Sequence, residues 1–112
     1  MSRLPEKHLH DARIALVELA NFCDGVDEAT YLQRRDLQLI AERELEIIGE
    51  ALARLRRDFP NESGGIPDMH RIIGLRNIIA HGYDVVDHPI LWDVIRNHAP
   101  GLLAAINAML SP

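Results

Sequence analysis

Leu37-Gln38-Leu39-Ile40-Ala41-Glu42-Arg43-Glu44-Leu45-Glu46-Ile47-Ile48-Gly49-Glu50-Ala51-Leu52-Ala53-Arg54-Leu55 is the stretch that decides the fold class. Leu37, Ile40, Ala41, Glu44, Leu45, Ile48, Ala51, Leu52 and Leu55 recur at intervals of three and four. That spacing lays one broad stripe along an α-helix and is incompatible with the strict alternation of a strand. Thr30 is a candidate N-cap, so one helix is predicted from there to about Phe59. Glu50 and Arg54 support it as an i,i+4 pair, while Glu42 and Glu46 are like charges that weaken it slightly. Gly49 interrupts the stripe and costs about 1 kcal/mol against alanine. Close passage of another helix is a reason to keep it.

Working outward, residues 6–23 read as a first helix. Leu9, Ala12, Leu16, Leu19, Ala20 and Cys23 fall on its apolar face, Pro5 suits its first turn and Gly25 its stop. Pro60 to Pro67 reads as a loop. Asp68 is the expected cap of a third helix carrying Ile72, Ile73, Leu75, Ile79 and Ala80, with Gly82 ending it. Asp87 and Pro89 open a short fourth helix with Leu91, Trp92 and Ile95, and Pro100 opens a last one with Leu102, Leu103, Ile106, Met109 and Leu110. Only Tyr83 to Val86 hints at a strand, and it is too short to build a sheet. The expectation is a single all-α domain over residues 1–112, an up-and-down four-helix-type bundle with a short additional helix.

The 112 residues support one core without metal or disulfide staples. With 47% apolar and 26% charged residues the composition is that of a globular chain. The lone Cys23 cannot form an internal disulfide and is expected to be a buried small hydrophobe, which suits a reducing compartment. No apolar leader and no run of bilayer-spanning length is visible, so a cytoplasmic, non-membrane location follows by elimination. The net charge of −5 argues against bulk electrostatic capture of nucleic acid, so any RNA contact must be local. Arg34, Arg35, Arg54, Arg56, Arg57, Arg71 and Arg76 are numerous enough for that, although most are expected on solvated helix faces.

Chemistry concentrates in Arg76-Asn77-Ile78-Ile79-Ala80-His81-Gly82-Tyr83. Asn77 and His81 share a helix face at i,i+4. Arg76 and His81 are five apart, about 140° around an ideal helix, so they converge only if the helix unwinds near Gly82 or two copies face each other. A histidine can take or give a proton near neutral pH. An arginine offers a fork of donors to a phosphate, and an asparagine can hold a phosphate oxygen or orient the imidazole. Together they can cleave RNA without a metal: the ribose 2'-OH attacks phosphorus, His81 handles protons and Arg76 stabilises the developing charge. On spacing alone the alternative is a helix end where His81 satisfies carbonyls and Arg76 makes a salt bridge.

An arginine, a polar residue, three more, histidine, one residue and tyrosine resemble the signature of the HEPN superfamily, in its HepT-like toxin branch. Glu42 to Ala51 resembles that branch's second-helix segment. Ile66-Pro67, Arg76-Asn77, His81-Gly82-Tyr83 and Trp92 follow in the expected order, so the resemblance covers most of residues 37–103. It implies a HEPN-like bundle forming homodimers whose paired motifs line a cleft, and a metal-independent ribonuclease that needs no cofactor. It also implies a cognate minimal nucleotidyltransferase antitoxin that uses ATP and magnesium to attach AMP to the motif tyrosine. Carried over, Arg76 and His81 are catalytic, Asn77 supports them and Tyr83 is the regulatory residue. An adenylate beside Arg76 would add bulk and negative charge where the phosphate binds.

Six histidines raise the question of metal, but His8 and His10 fall on different helix faces. His70 and His81 stand about 16 Å apart by helical rise, so no metal site is expected. Glu42, Glu44, Glu46 and Glu50 read mainly as a solvated face, with Glu46 or Glu50 able to reach the motif and orient Arg76 or His81. Two function classes stay open: an RNA-cleaving toxin regulated at Tyr83, and a non-catalytic helical module binding a nucleotide or a protein.

Overall fold

The computed structural model describes residues 4–81 and 86–111. Seven helices follow one another among them: α1 (Pro5–Phe22), α2 (Glu28–Gln33), α3 (Arg35–Asp58), α4 (Pro60–Ser63), α5 (Met69–His81), α6 (His88–Asn97) and α7 (Ala99–Leu110). The all-α expectation holds. α3 is the central element: α1 packs along it, α5 lies on it, and α2, α4 and α6 also touch it, while α7 packs on α1 and α6. The stripe from Leu37 to Leu55 is buried, Glu44 included and Ile40 in part, and α3 packs on α1, which buries Leu9, Ala12, Leu16 and Leu19. Cys23 is a free, buried thiol whose pKa is raised by that burial. Among the described residues, no helix is long and apolar enough to cross a membrane.

The helix expected over 30–59 is two helices. Its cap is Asp27, not Thr30: the Asp27 carboxylate accepts the Thr30 N–H at 2.8 Å, which holds that carboxyl below its usual range. Arg34 then turns extended, with φ −107° and ψ 96°. The Gln38 side chain donates to the Tyr31 and Leu32 carbonyls at 3.2 and 3.1 Å, satisfying acceptors that a continuous helix would have used. The break frees Tyr31 to turn inward. It is fully buried, stacks on Trp92 at 5.1 Å between ring centroids, and contacts His88 Nδ1 through its hydroxyl at 2.9 Å. His88 Nε2 reaches Glu42 at 3.0 Å, so one polar chain ties α2, α3 and α6.

Two further expectations are corrected. The loop from Pro60 contains one helical turn, α4, because a proline at its first position is pre-set for helix. Asp68 does not cap α5 through its side chain. It stands at φ 59°, its carbonyl accepts the Ile72 N–H at 3.0 Å, and its carboxylate reaches His98 Nδ1 at 3.0 Å. Asp87 does cap α6, accepting the Ile90 N–H at 3.3 Å.

Candidate functional site

α5 buries Met69, Ile72, Ile73 and Leu75. The spacing 69, 72, 73 continues to 76, so the stripe that seats the helix on α3 directs Arg76 toward α3 as well. Gly49 makes this possible. A Cβ built there would lie 2.3 Å from Arg76 Cβ, 2.8 Å from its Cγ and 3.2 Å from the Ile72 carbonyl oxygen. The close crossing expected at Gly49 is therefore real, and the residue seated in it is the motif arginine.

Arg34, Arg35, Arg54, Arg57 and Arg71 are all at least half exposed, in line with solvated helix faces, whereas the Arg76 side chain is only 23% exposed. Its Nε is buried and has no hydrogen-bond partner among the described residues, and its Nη1 lies 3.4 Å from Glu50 Oε2. The other Glu50 oxygen accepts Arg54 Nε at 3.0 Å. These groups line an open cavity of about 430 Å3 between α1 and α3, with Arg76 as its α5 contribution. Asp11, Ile14 and Glu18 form one wall, and Arg43, Glu46, Ile47, Glu50 and Arg54 form the other. Arg43 and Glu46 pair with each other at 3.3 Å.

His81 and Asn77 lie elsewhere. Both are exposed on the far side of α5 and neither lines the cavity. α5 is regular to His81, so among the described residues no unwinding brings the imidazole back to Arg76. Gly82 and Tyr83 lie outside the described residues. The exposed face of α5 carries His70, Gly74, Asn77, Ile78 and His81 in one stripe, with Ile78 51% exposed and open space where a Gly74 side chain would stand. Among the described residues no group of three or more His, Cys, Asp or Glu is arranged to hold a metal ion.

The sequence pairs Glu50 with Arg54 and lets Glu46 or Glu50 reach the motif, and Glu50 is the one that meets Arg76; the sequence did not bring Arg54 to this site and assigned no role to Arg43. The signal was present in α3: residues 43, 46, 47, 50, 51 and 54 form a second stripe at helical spacing, flanking the buried one.

A buried-stem arginine opening on a charged cavity, with an exposed histidine five residues on, is the arrangement to set against known proteins. The Ribonuclease HepT-like family model matches residues 12–109. The chain belongs to the HepT-like ribonuclease family. Family membership makes it one of a class of RNA-cleaving enzymes. A Methanocaldococcus jannaschii protein named as an RNase is 28% identical over 92 residues, 82% of this chain and 84% of its own. A Thermococcus cleftensis protein named as a ribonuclease HepT is 28% identical over 102 residues, 91% and 92% of the two chains. A Caldanaerobacter subterraneus protein named as an RNase is 34% identical over 68 residues, 61% and 60% of the two chains. No solved structure matches the chain.

Proposed function

We propose that this protein is the RNA-cleaving toxin of a toxin–antitoxin pair and that it works as a homodimer. The observation that carries the reading is the divergence of the two motif side chains on a regular helix. Arg76 turns inward to an open cavity, and His81 stands on an exposed helix face that also bears Asn77 and Ile78. A second copy would supply the imidazole that one copy does not bring to its own guanidinium, with the exposed α5 face as part of the contact between them. Small and apolar positions beside polar ones, Gly74 and Ile78 with Asn77 and His81, suit a self-complementary two-fold contact.

In such a pair the chemistry needs no metal. The ribose 2'-oxygen attacks the neighbouring phosphorus as an imidazole takes its proton. The bond from phosphorus to the 5'-oxygen breaks, the leaving oxygen regains a proton, and a 2',3'-cyclic phosphate remains. Arg76 binds the phosphoryl oxygens and stabilises the added charge of the transition state. Asn77 orients the imidazole from the preceding turn. AMP transferred to Tyr83 from ATP, by a magnesium-dependent minimal nucleotidyltransferase antitoxin, adds bulk and negative charge to the motif, which opposes phosphate binding.

Expression of the chain without its partner tests this directly. Growth arrest that vanishes in a folded His81→Ala variant supports catalysis. Arrest that persists favours the non-catalytic binding module instead. Intact mass after co-expression with the antitoxin tests the regulation: a gain of one or more AMP groups, mapped to Tyr83, is expected.

A further inference from the structure

We propose that Glu50 is the positioning carboxylate of the site: it aims the Arg76 guanidinium, and Arg54 in turn holds Glu50. The inference rests on the reading of Arg76 as a catalytic residue and goes beyond it by naming what sets that residue's direction.

Arg76 is fixed at its base and loosely held at its tip. Its Cβ and Cγ are clamped against the α3 backbone at Gly49. Its Nε, buried and without an acceptor among the described residues, contributes no directional bond. Among the described residues, the acid that meets the fork is Glu50, whose Oε2 lies 3.4 Å from Nη1. Glu50 is held through its other oxygen, which accepts Arg54 Nε at 3.0 Å one helical turn further along α3. One carboxylate thus spans two arginines, one oxygen to each, and all three side chains line the same cavity. Glu46, the other acid that could have served, is engaged by Arg43. At 3.4 Å the contact is an ion pair rather than a hydrogen bond, so Glu50 attracts the fork without sequestering it and the fork remains available to a phosphate.

Glu50 could instead merely neutralise a half-buried charge. The two roles differ in what a shorter acid does. Aspartate keeps the charge but cannot span both arginines, and glutamine keeps the length while setting an amide N–H against a guanidinium. Cleavage of a mixed-sequence single-stranded RNA oligonucleotide separates them, with thermal stability measured on each variant.

Misplacing a reacting group by about 1 Å costs on the order of 100-fold. Glu50→Gln is therefore expected to lower kcat by about 10- to 100-fold with KM nearly unchanged. Glu50→Asp should lose part of that despite its charge. Arg54→Gln should also lower kcat, and the Glu50→Gln, Arg54→Gln double variant should be no worse than Glu50→Gln alone, because both act through one contact. Rotation about the Arg76 Cζ–Nε bond, read by nitrogen NMR, should be slow in the parent and faster in Glu50→Gln, a readout independent of turnover.

Unchanged kcat in a folded Glu50→Gln variant, or full activity in Glu50→Asp, overturns the assignment while leaving Arg76 catalytic. A raised KM and a shallower salt dependence in Arg54→Gln, with kcat intact, also overturns it and makes Arg54 a direct phosphate contact. Full activity in Arg76→Ala is a different failure: it removes the catalytic reading of Arg76, and the role of Glu50 falls with it.

Discussion

At Gly49 and Glu44, two adjacent turns of α3 carry the residues whose ordinary behaviour is reversed by their surroundings. Alanine in place of a mid-helix glycine normally gains about 1 kcal/mol. At Gly49 the added methyl meets Arg76 Cβ and Cγ, which are the fixed end of that side chain, and the Ile72 carbonyl. Gly49→Ala is therefore expected to lose about 2 kcal/mol of stability in urea unfolding, as overpacked sites do, and to reduce cleavage by shifting Arg76. A neutral or stabilised variant would mean that the crossing yields easily. Glu44 is 7% exposed, and burial, then the hydrogen bond and charge of Glu18, push its carboxyl from 4.5 up to about 7. A pKa raised on folding contributes stability that is complete below the unfolded value and is lost as pH rises through the folded one. The bundle should thus lose stability between about pH 5 and pH 8 from this group. Glu44→Gln, neutral throughout, should be more stable than the parent by about 1 kcal/mol at pH 8, with the gap closing toward pH 5, in denaturant titrations across that range.

At the scale of elements, hydrophobic spacing carried most of the fold. α1, α3, α5, α6 and α7 were legible because each buries a stripe at helical period, and Asp87 was legible as a cap because it stands directly before His88-Pro89 and accepts the Ile90 N–H. The α2–α3 break was not. Tyr31, Leu32 and Gln33 are acceptable helix formers, and only the tertiary demand for Tyr31 at Trp92 and His88 favours the kink. Asp68 misled for a similar reason, since its distant partner His98 is thirty residues away in sequence. The energetic content of the break can be measured. Tyr31→Phe retains the ring stacking but leaves His88 Nδ1 without the hydroxyl, so about 1 kcal/mol of stability should be lost. A variant as stable as the parent would show that the hydroxyl does not help to join α2 to α6, leaving stacking on Trp92 as the tie.

For the whole molecule, the motif that defines the candidate site was visible in the sequence, but the placement of its side chains relative to one another was not. Arg76, Asn77 and His81 stand out in the sequence, yet their arrangement depends on a helix that stays regular and so sends Arg76 and His81 about 140° apart. The sequence allowed two routes to convergence, an unwound helix end or two facing copies, and among the described residues the regular α5 removes the first. The acidic balance is also less adverse than it first reads, because two of the cavity's carboxylates, Glu46 and Glu50, are paired locally with Arg43, Arg54 and Arg76. If guanidinium and imidazole come from different copies, two inactive variants should repair each other. Arg76→Ala and His81→Ala subunits, mixed in equal amounts and allowed to exchange, form mixed dimers in half of the assemblies. Each mixed dimer has one site with both groups intact and one with neither, so about one quarter of the parent activity should return. Ile78→Glu, which places a charge on the exposed α5 face, should shift the protein to a monomer in sedimentation experiments and abolish that recovery. A site built within one copy predicts no recovery at any mixing ratio, and a monomeric parent that still cleaves RNA would exclude the composite site altogether.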